Sequence, residues 1–134
     1  MIEKMKKLKF IKLWLFIGWI QIGLVIIFSL IPSPSDIPDI IGLDKLMHFS
    51  AYAFMMFWFG LCFFPGRTYN RIGYAIIIMG VFLELIQGKI GYRSMSYFDM
   101  TSNALGVSLG WVLARTRISS ALVYIENSLA DKHP

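Results

Sequence analysis

The sequence predicts an all-α integral membrane four-helix bundle with both termini in the cytoplasm, on three observations. Of the 134 residues, 57% are hydrophobic and 16% are charged, whereas soluble domains carry about 45–50% apolar and about 25% charged residues. Residues 13–35 and 46–66 are uncharged runs of 23 and 21 residues, and a membrane-spanning helix needs about 20. Lys and Arg concentrate in alternate polar segments. An ordinary soluble domain is therefore excluded, and the lone Cys62 excludes an intrachain disulfide scaffold.

The apolar pattern predicts four spans, at residues 10–31, 45–64, 72–91 and 99–114, in a single membrane domain covering 1–134. A basic segment followed by an apolar run also describes a signal peptide. Because this run is longer than a signal core and further spans follow, we expect an uncleaved anchor helix. Prolines follow the first span, and Pro65 and Gly66 end the second. Residues 68–70 are predicted to complete a short turn before the third.

The distribution of basic residues predicts the orientation. Ten of the 13 Lys and Arg residues lie in the N-terminal segment, the 65–71 loop and the tail, and the others are Lys45, Lys89 and Arg93. Cytoplasmic loops collect positive charge, so we expect a multi-pass protein of the cell membrane with both termini inside. The net charge of +5 then reflects topology and contact with membrane lipids, and no nucleic-acid partner is expected.

Residues 115–134 are predicted to form a cytoplasmic amphipathic tail on the membrane surface. Four apolar residues recur there at helical spacing: Ile118, Leu122, Ile125 and Leu129.

With this topology, polar side chains of the spans collect in the outer half of the membrane. Asp44 and His48 are spaced i, i+4 and so share one stripe of the second span. A charge near the bilayer centre costs at least about 2.5–3.5 kcal/mol. Glu84 must therefore point into the bundle, pair with a cation or be protonated. The predicted polar site comprises eight residues: Asp44, His48, Glu84, Gln87, Arg93, Ser96, Asp99 and Asn103.

Several of these residues have simpler interpretations. Asp99 and Asp44 can cap the helices that they begin. Asn103 can join helices through its amide, and His48 can be a hydrogen-bonded structural residue. Arg93 is either a counter-ion for Glu84 or a headgroup anchor.

Few kinds of chemistry fit these residues. One intramembrane histidine does not make a zinc site, so no metal site is predicted, although a hard cation on carboxylate and amide oxygens stays open. Acid–base work by Glu84 with His48 is also open. No cofactor is assigned. Gly106 and Gly110, four residues apart on the fourth span, are predicted to serve close helix packing.

Two motifs resemble the VanZ-like family over residues 44–110, half of the chain. The first is Asp44-Lys45-x-x-His48-Phe49-x-x-Tyr52. The second is Glu84-x-x-Gln87 followed by Arg93-x-x-Ser96-x-x-Asp99-x-x-x-Asn103-x-x-Gly106-x-x-x-Gly110.

The resemblance implies a small bacterial inner-membrane protein. The family's namesake is linked to low-level resistance to the glycopeptide teicoplanin, without a change in the terminus of the peptidoglycan precursor. We therefore expect the polar site to bind or modify a lipid-linked or lipopeptide ligand at the outer leaflet, with Glu84 and His48 as catalytic candidates. The alternative is a non-catalytic envelope protein whose polar residues hold the bundle together. Ion transport is disfavoured, because the inner half of the spans offers no polar path.

Overall fold

The computed structural model describes residues 5–32, 42–91 and 94–130, and in these residues the fold is all-α, as predicted. A short 3-10 helix at Arg117–Ser120 precedes the last of the five helices described. The helices are α1 (Ile11–Leu30), α2 (Leu43–Cys62), α3 (Arg67–Gln87), α4 (Tyr97–Leu113) and α5 (Ala121–Ala130).

Helices α1 to α4 lie within a few residues of the four predicted spans. By length and composition, α1 and α3 are candidate membrane spans. Helix α2 carries Asp44, Lys45 and His48 in its first turns, and α4 has 17 residues, fewer than the roughly 20 that a perpendicular span needs. The described part of the chain therefore contains two candidate spans.

The predicted turn at residues 68–70 is wrong. The chain does break at Pro65 and Gly66, but α3 begins at Arg67. Tyr69 is fully buried, and its hydroxyl lies 3.0 Å from the carbonyl oxygen of Met56 and 3.3 Å from that of Gly110. The helical conformation buries the Tyr69 ring while its hydroxyl remains hydrogen-bonded to α2 and α4, which stabilises it. Residues 68–70 are therefore helical and do not form the turn that their polar character predicted.

Helices α2 and α4 form the most closely packed pair in the described chain. A Cβ atom on Gly106 would lie 2.3 Å from the carbonyl oxygen of Phe49, and one on Gly110 would lie 2.8 Å from that of Ala53. Both distances are too short for any side chain, so the backbones approach only because these positions are glycine. The packing role predicted for Gly106 and Gly110 is confirmed.

Helix α1 is largely exposed. Gly18 is its one buried residue, whereas Phe16, Trp19 and Phe28 are each more than 60% exposed. Gly18 faces Phe59 of α2, since a Cβ there would lie 3.0 Å from the Phe59 ring. One face of α1 thus packs on the bundle, and the rest is an uncovered apolar surface.

The tail packs on the bundle through a face that the sequence analysis did not identify. Leu122 is buried, whereas Ile118, Ile125 and Leu129 are 44–58% exposed. The other buried residue of α5 is Glu126. The face that packs on the bundle therefore contains a carboxylate with hydrogen-bond partners. Contact of the exposed apolar residues with the membrane surface stays a prediction.

Glu126 joins the tail to the beginning of α1. Its carboxylate accepts hydrogen bonds from the backbone N–H groups of Lys9 and Phe10 and from the indole Nε1–H of Trp14, the last at 2.7 Å. Burial raises the pKa of Glu126, but the bonds from Trp14, Phe10 and Lys9 outweigh burial and bring the pKa below its usual value. The carboxylate thus serves as the cap that α1 lacks locally.

Lys6 joins the N-terminal segment to the end of α2. Its ammonium group donates to the carbonyl oxygens of Gly60, at 2.7 Å, and Ser119, and its backbone N–H donates to the carbonyl of Cys62. Only 4% of Lys6 is exposed, and this burial lowers the pKa of its ammonium group. In the sequence, Lys6 is only one of the ten basic residues that predict the orientation, and the structure distinguishes it from them by its burial.

Candidate functional site

Five of the predicted site residues meet where α2 and α4 begin and α3 ends. This polar cluster consists of Asp44 and His48 from α2, Glu84 from α3, and Asp99 and Asn103 from α4. Glu84, Asp99 and Asn103 are each at most 6% exposed, whereas the Asp44 side chain is 47% exposed. The cluster is therefore closed on the inside of the bundle and open at Asp44.

His48 lies at the centre of the polar cluster. Its Nδ1 atom is 3.1 Å from Oδ1 of Asn103 and 3.9 Å from Oε1 of Glu84. Its Nε2 atom is 3.6 Å from Oδ1 of Asp44. Because an amide oxygen only accepts, Nδ1 carries the proton that is donated to Asn103. The imidazole is thus oriented by α3 and α4 and presents Nε2 toward the open side.

Glu84 holds the beginning of α4. Its Oε2 atom accepts a hydrogen bond of 3.1 Å from the backbone N–H of Ser96. Ser96 is the N-cap residue of α4, and its hydroxyl accepts from the backbone N–H of Asp99 at 3.2 Å. In a capping box, the carboxylate three residues after the cap would take the N–H of the cap residue. Here the Glu84 carboxylate accepts the hydrogen bond from the Ser96 N–H, so the Asp99 carboxylate does not serve as its acceptor.

Asp99 consequently faces the polar cluster, and the interpretation of Asp99 as a simple helix cap is wrong. Its Oδ1 atom is buried and makes no hydrogen bond. The closest cation in the described residues is the ammonium group of Lys45, at 3.5 Å and on a side chain that is 45% exposed. A buried carboxylate oxygen without a hydrogen bond is costly, so this atom is a place where a ligand would be stabilised.

The described part of the cluster carries excess negative charge. Asp44, Glu84 and Asp99 supply three carboxylates, of which Asp99 pairs with the ammonium group of Lys45 and the other two lie near the His48 imidazole. The arrangement is therefore suited to donors and cations rather than to a bare anion.

Gln87 stands apart from the polar cluster. The amide Nε2 of Gln87 donates to the carbonyl oxygen of Ser29 at 2.7 Å and so joins α3 to the end of α1. Arg93 lies outside the described residues, so its predicted pairing with Glu84 stays a prediction. Ser96 contributes its backbone and hydroxyl as the cap of α4.

Two features of the site were missed from sequence. Lys45 was counted among the basic residues and belongs to the first motif, but it was not predicted as a site residue, although it pairs with Asp99. Gly80 brings α3 close to the cluster, since a Cβ there would lie 3.0 Å from the ring of Tyr52 and 3.1 Å from Nδ2 of Asn103. The signal for Gly80 was its position four residues before Glu84, which places both on one helix face.

The geometry permits three kinds of chemistry. Nε2 of His48 can accept a proton or a hydrogen bond, and Glu84 lies behind the imidazole as a second acid–base group. The carboxylates of Asp44 and Asp99 can accept from ligand hydroxyl, amide or ammonium groups. Imidazole and carboxylates together can also hold a metal ion.

Comparison with protein-family models, with curated proteins and with solved structures finds no match for this chain.

Proposed function

We propose that the chain is a multi-pass protein of the bacterial cytoplasmic membrane, with α1 to α4 as a bundle of four spans and both termini cytoplasmic. Two helices long and apolar enough to span support this arrangement. So does the surface of α1, where large apolar side chains face outward on most sides, as lipid contact requires. The bias of Lys and Arg toward the N-terminus, the 65–71 loop and the tail supports the orientation.

In this orientation the polar cluster opens to the outer face, and we propose that it binds or modifies the polar part of a lipid-linked or lipopeptide ligand. The observation that carries the proposal is the buried Asp99 oxygen without a hydrogen bond beside the oriented imidazole of His48. The resemblance to the VanZ-like family, carried by residues of this same cluster, supports a role in glycopeptide resistance.

Within this proposal, each group has a role that its position favours. Nε2 of His48 and the Asp44 carboxylate lie on the open side and contact the ligand. Glu84 keeps the imidazole and the start of α4 in place, 3.9 Å and 3.1 Å away respectively, and serves as the proton reservoir if the ligand is modified. Arg93 contacts an anionic group of the ligand.

The experiment is the teicoplanin susceptibility of a sensitive Gram-positive host that expresses the wild type or Glu84→Gln. Glutamine keeps an oxygen for the Ser96 N–H, so the cap of α4 survives and only the charge is lost. Lys7→Met is the control, since it also removes one charge but at an exposed position where no loss of stability is expected. Membrane abundance is measured by blot in every strain.

We expect the wild type and Lys7→Met to protect and Glu84→Gln to fail at equal abundance. Equal protection by Glu84→Gln would make Glu84 structural and refute the proposed site. Absence of protection by the wild type would refute the resistance role.

A second candidate function, a non-catalytic envelope protein, is favoured by the cross-helix bonds His48–Asn103 and Gln87–Ser29. If the polar network only holds the helices together, His48→Ala with Glu84→Gln should lower the melting temperature in step with activity. Full stability of the double variant would count against this alternative.

A further inference from the structure

An apolar groove lies on the outside of the bundle, between α1, α2 and α3. It has a volume of about 360 Å³ and is lined by nine apolar residues. Phe59 and Ile76 form its buried floor, and the exposed Trp19 forms part of its rim. An ordered water needs about two to four polar partners, which this lining does not supply, and an empty groove would leave its lining atoms without contacts. An apolar occupant is therefore favoured.

The groove has the depth of one leaflet in the proposed membrane arrangement. On α1 its lining runs from Leu15 to Ile22, and at about 1.5 Å per residue these positions lie about 6 and about 17 Å from the cytoplasmic end of the helix. On α3 the lining runs from Ile72 to Met79, about 8 and about 18 Å from that end. The hydrocarbon core of a bilayer is about 30 Å thick. The groove therefore ends near the bilayer midplane, where the tail of an inner-leaflet lipid also ends.

Two cations stand at the cytoplasmic mouth of this groove. Lys12 precedes the lining residue Trp19 by seven positions, and Arg71 precedes the lining residue Ala75 by four. Each cation thus shares a helix face with the groove and lies nearer to the cytoplasmic end. Both are exposed, and the ion pairs found among the described residues involve neither of them.

The carboxylate at the beginning of α1 lies away from this mouth. Glu126 accepts from the indole of Trp14, which follows Lys12 by two residues and is therefore about 200° around the helix from it. The other carboxylates of the described residues belong to the polar cluster at the opposite end of the bundle. The mouth of the groove consequently keeps its positive charge and is complementary to an anionic headgroup.

We propose that the groove binds one anionic glycerophospholipid of the inner leaflet, with an acyl chain against α1, α2 and α3 and the headgroup phosphate beside Lys12 and Arg71. Guanidinium and ammonium groups both form charge-assisted hydrogen bonds with phosphate. A lipid held there would join α1, most of whose surface is uncovered, to the rest of the bundle. The site is separate from the polar cluster. It rests on the proposed membrane arrangement and not on the ligand proposed for that cluster.

The test is lipid binding by the full-length protein, purified in detergent. The probes are phosphatidylglycerol and phosphatidylcholine with identical acyl chains, one of which carries a photoreactive diazirine. Native mass spectrometry gives the number and affinity of the lipids retained, and the labelled residues are located after digestion. Since both probes share their chains, a difference in affinity reports the headgroup and the labelling pattern reports the chain.

The first pair of variants tests the headgroup contact. Lys12→Gln with Arg71→Gln is compared with Lys7→Gln with Arg117→Gln, which removes two other exposed charges. The wild type should bind one phosphatidylglycerol about thirtyfold more tightly than phosphatidylcholine, since two cations near a membrane surface contribute about 1 kcal/mol each and about 1.4 kcal/mol is tenfold in affinity. The first double variant should lose this preference, and the control should keep it.

The second pair of variants tests the acyl chain. Ala75 is an exposed lining residue, so Ala75→Trp fills the groove without entering the core. Ile78→Trp is the matched control, at an exposed position of the same helix that does not line the groove. The diazirine should label residues within 15–22 and 72–79 in the wild type and in Ile78→Trp, and Ala75→Trp should lose this labelling. The charge variants keep the inference testable if Ala75→Trp misfolds.

Three outcomes would overturn the inference. They are equal affinity of the wild type for the two lipids, a preference that survives Lys12→Gln with Arg71→Gln, and labelling in Ala75→Trp equal to that of the wild type. Because no variant touches the polar cluster, these results are separate from the resistance assay. Selective phosphatidylglycerol binding without protection in that assay would refute the ligand proposed for the polar cluster and leave the groove site standing.

Discussion

Replacing Gly106 by alanine tests how the α2–α4 contact supports both stability and the polar cluster. The new Cβ would lie 2.3 Å from the carbonyl oxygen of Phe49, whereas ordinary contact begins at 3.4 Å. The helices must therefore separate by about 1.1 Å, because the contacted atom is backbone and has no rotamer to change. Gly23→Ala is the matched control, since a Cβ there meets nothing within 4 Å.

The two substitutions should shift stability in opposite directions. Overpacking costs about 1–3 kcal/mol, and alanine returns about 1 kcal/mol of helix propensity. We expect the free energy of unfolding of Gly106→Ala to fall by about 2 kcal/mol, the upper end, since the clash is with backbone. At about 4 °C per kcal/mol for a chain of this length, the melting temperature falls by about 8 °C. Gly23→Ala should be neutral or slightly stabilised.

The same separation should disturb the polar cluster. Asn103 lies one turn before Gly106 on α4, and His48 precedes Phe49 on α2. A shift of about 1.1 Å would lengthen the 3.1 Å bond between Nδ1 of His48 and Oδ1 of Asn103 beyond hydrogen-bond range. We would measure melting by intrinsic fluorescence in detergent and the Nδ1–H proton of His48 by NMR. Equal melting temperatures for Gly106→Ala and Gly23→Ala would refute the reasoning.

Two further predictions concern the cytoplasmic side of the proposed bundle. Glu126→Gln should lower the melting temperature at pH 7, because bonds to a charged acceptor are worth about 1.5–3 kcal/mol each. The folded pKa of Glu126 lies below its unfolded value of about 4.3, so its stabilisation is present above that value and is lost as the pH falls through the folded pKa. Melting curves should therefore differ most above about pH 5 and converge at lower pH, and a constant difference would contradict the assignment. Lys6→Met should destabilise by about 1–2 kcal/mol, because the buried carbonyls of Gly60 and Ser119 lose their donor. Lys7→Met, at an exposed neighbouring position, should leave the melting temperature unchanged.

Much of the polar cluster could be predicted from residue spacing. Asp44 and His48 share one helix face because they are four residues apart, and the same periodicity relates Asp99 to Asn103. A carboxylate that faces lipid costs free energy, so the carboxylates of the spans are expected to face the interior of the bundle and to lie close together. Spacing alone did not predict that the Gln87 amide donates to the carbonyl oxygen of Ser29. That partner belongs to a different helix and is 58 residues away in sequence.

The tail shows what periodicity leaves open. Ile118, Ile125 and Leu129 form a regular apolar stripe, yet the face that packs on the bundle contains Glu126. The unpaired N–H groups at the beginning of α1 and the indole of Trp14 attract a carboxylate more strongly than an apolar contact would. This preference is visible only when residues 9–14 and residue 126 are seen side by side.

The sequence by itself determined the all-α class, the approximate helix positions and the close approach at Gly106 and Gly110, since these follow from local hydropathy, helix breakers and side-chain size. The tertiary structure alone decided which polar groups are paired. In the structure, Glu84 accepts from the backbone N–H of the residue that caps α4, and the Asp99 carboxylate faces the polar cluster. Lys6 and Lys45 differ from the other lysines because Lys6 donates to Gly60 and Lys45 pairs with Asp99. Hydrogen bonds and ion pairs depend on distances of a few ångströms between segments far apart in the chain, and local periodicity does not encode those distances.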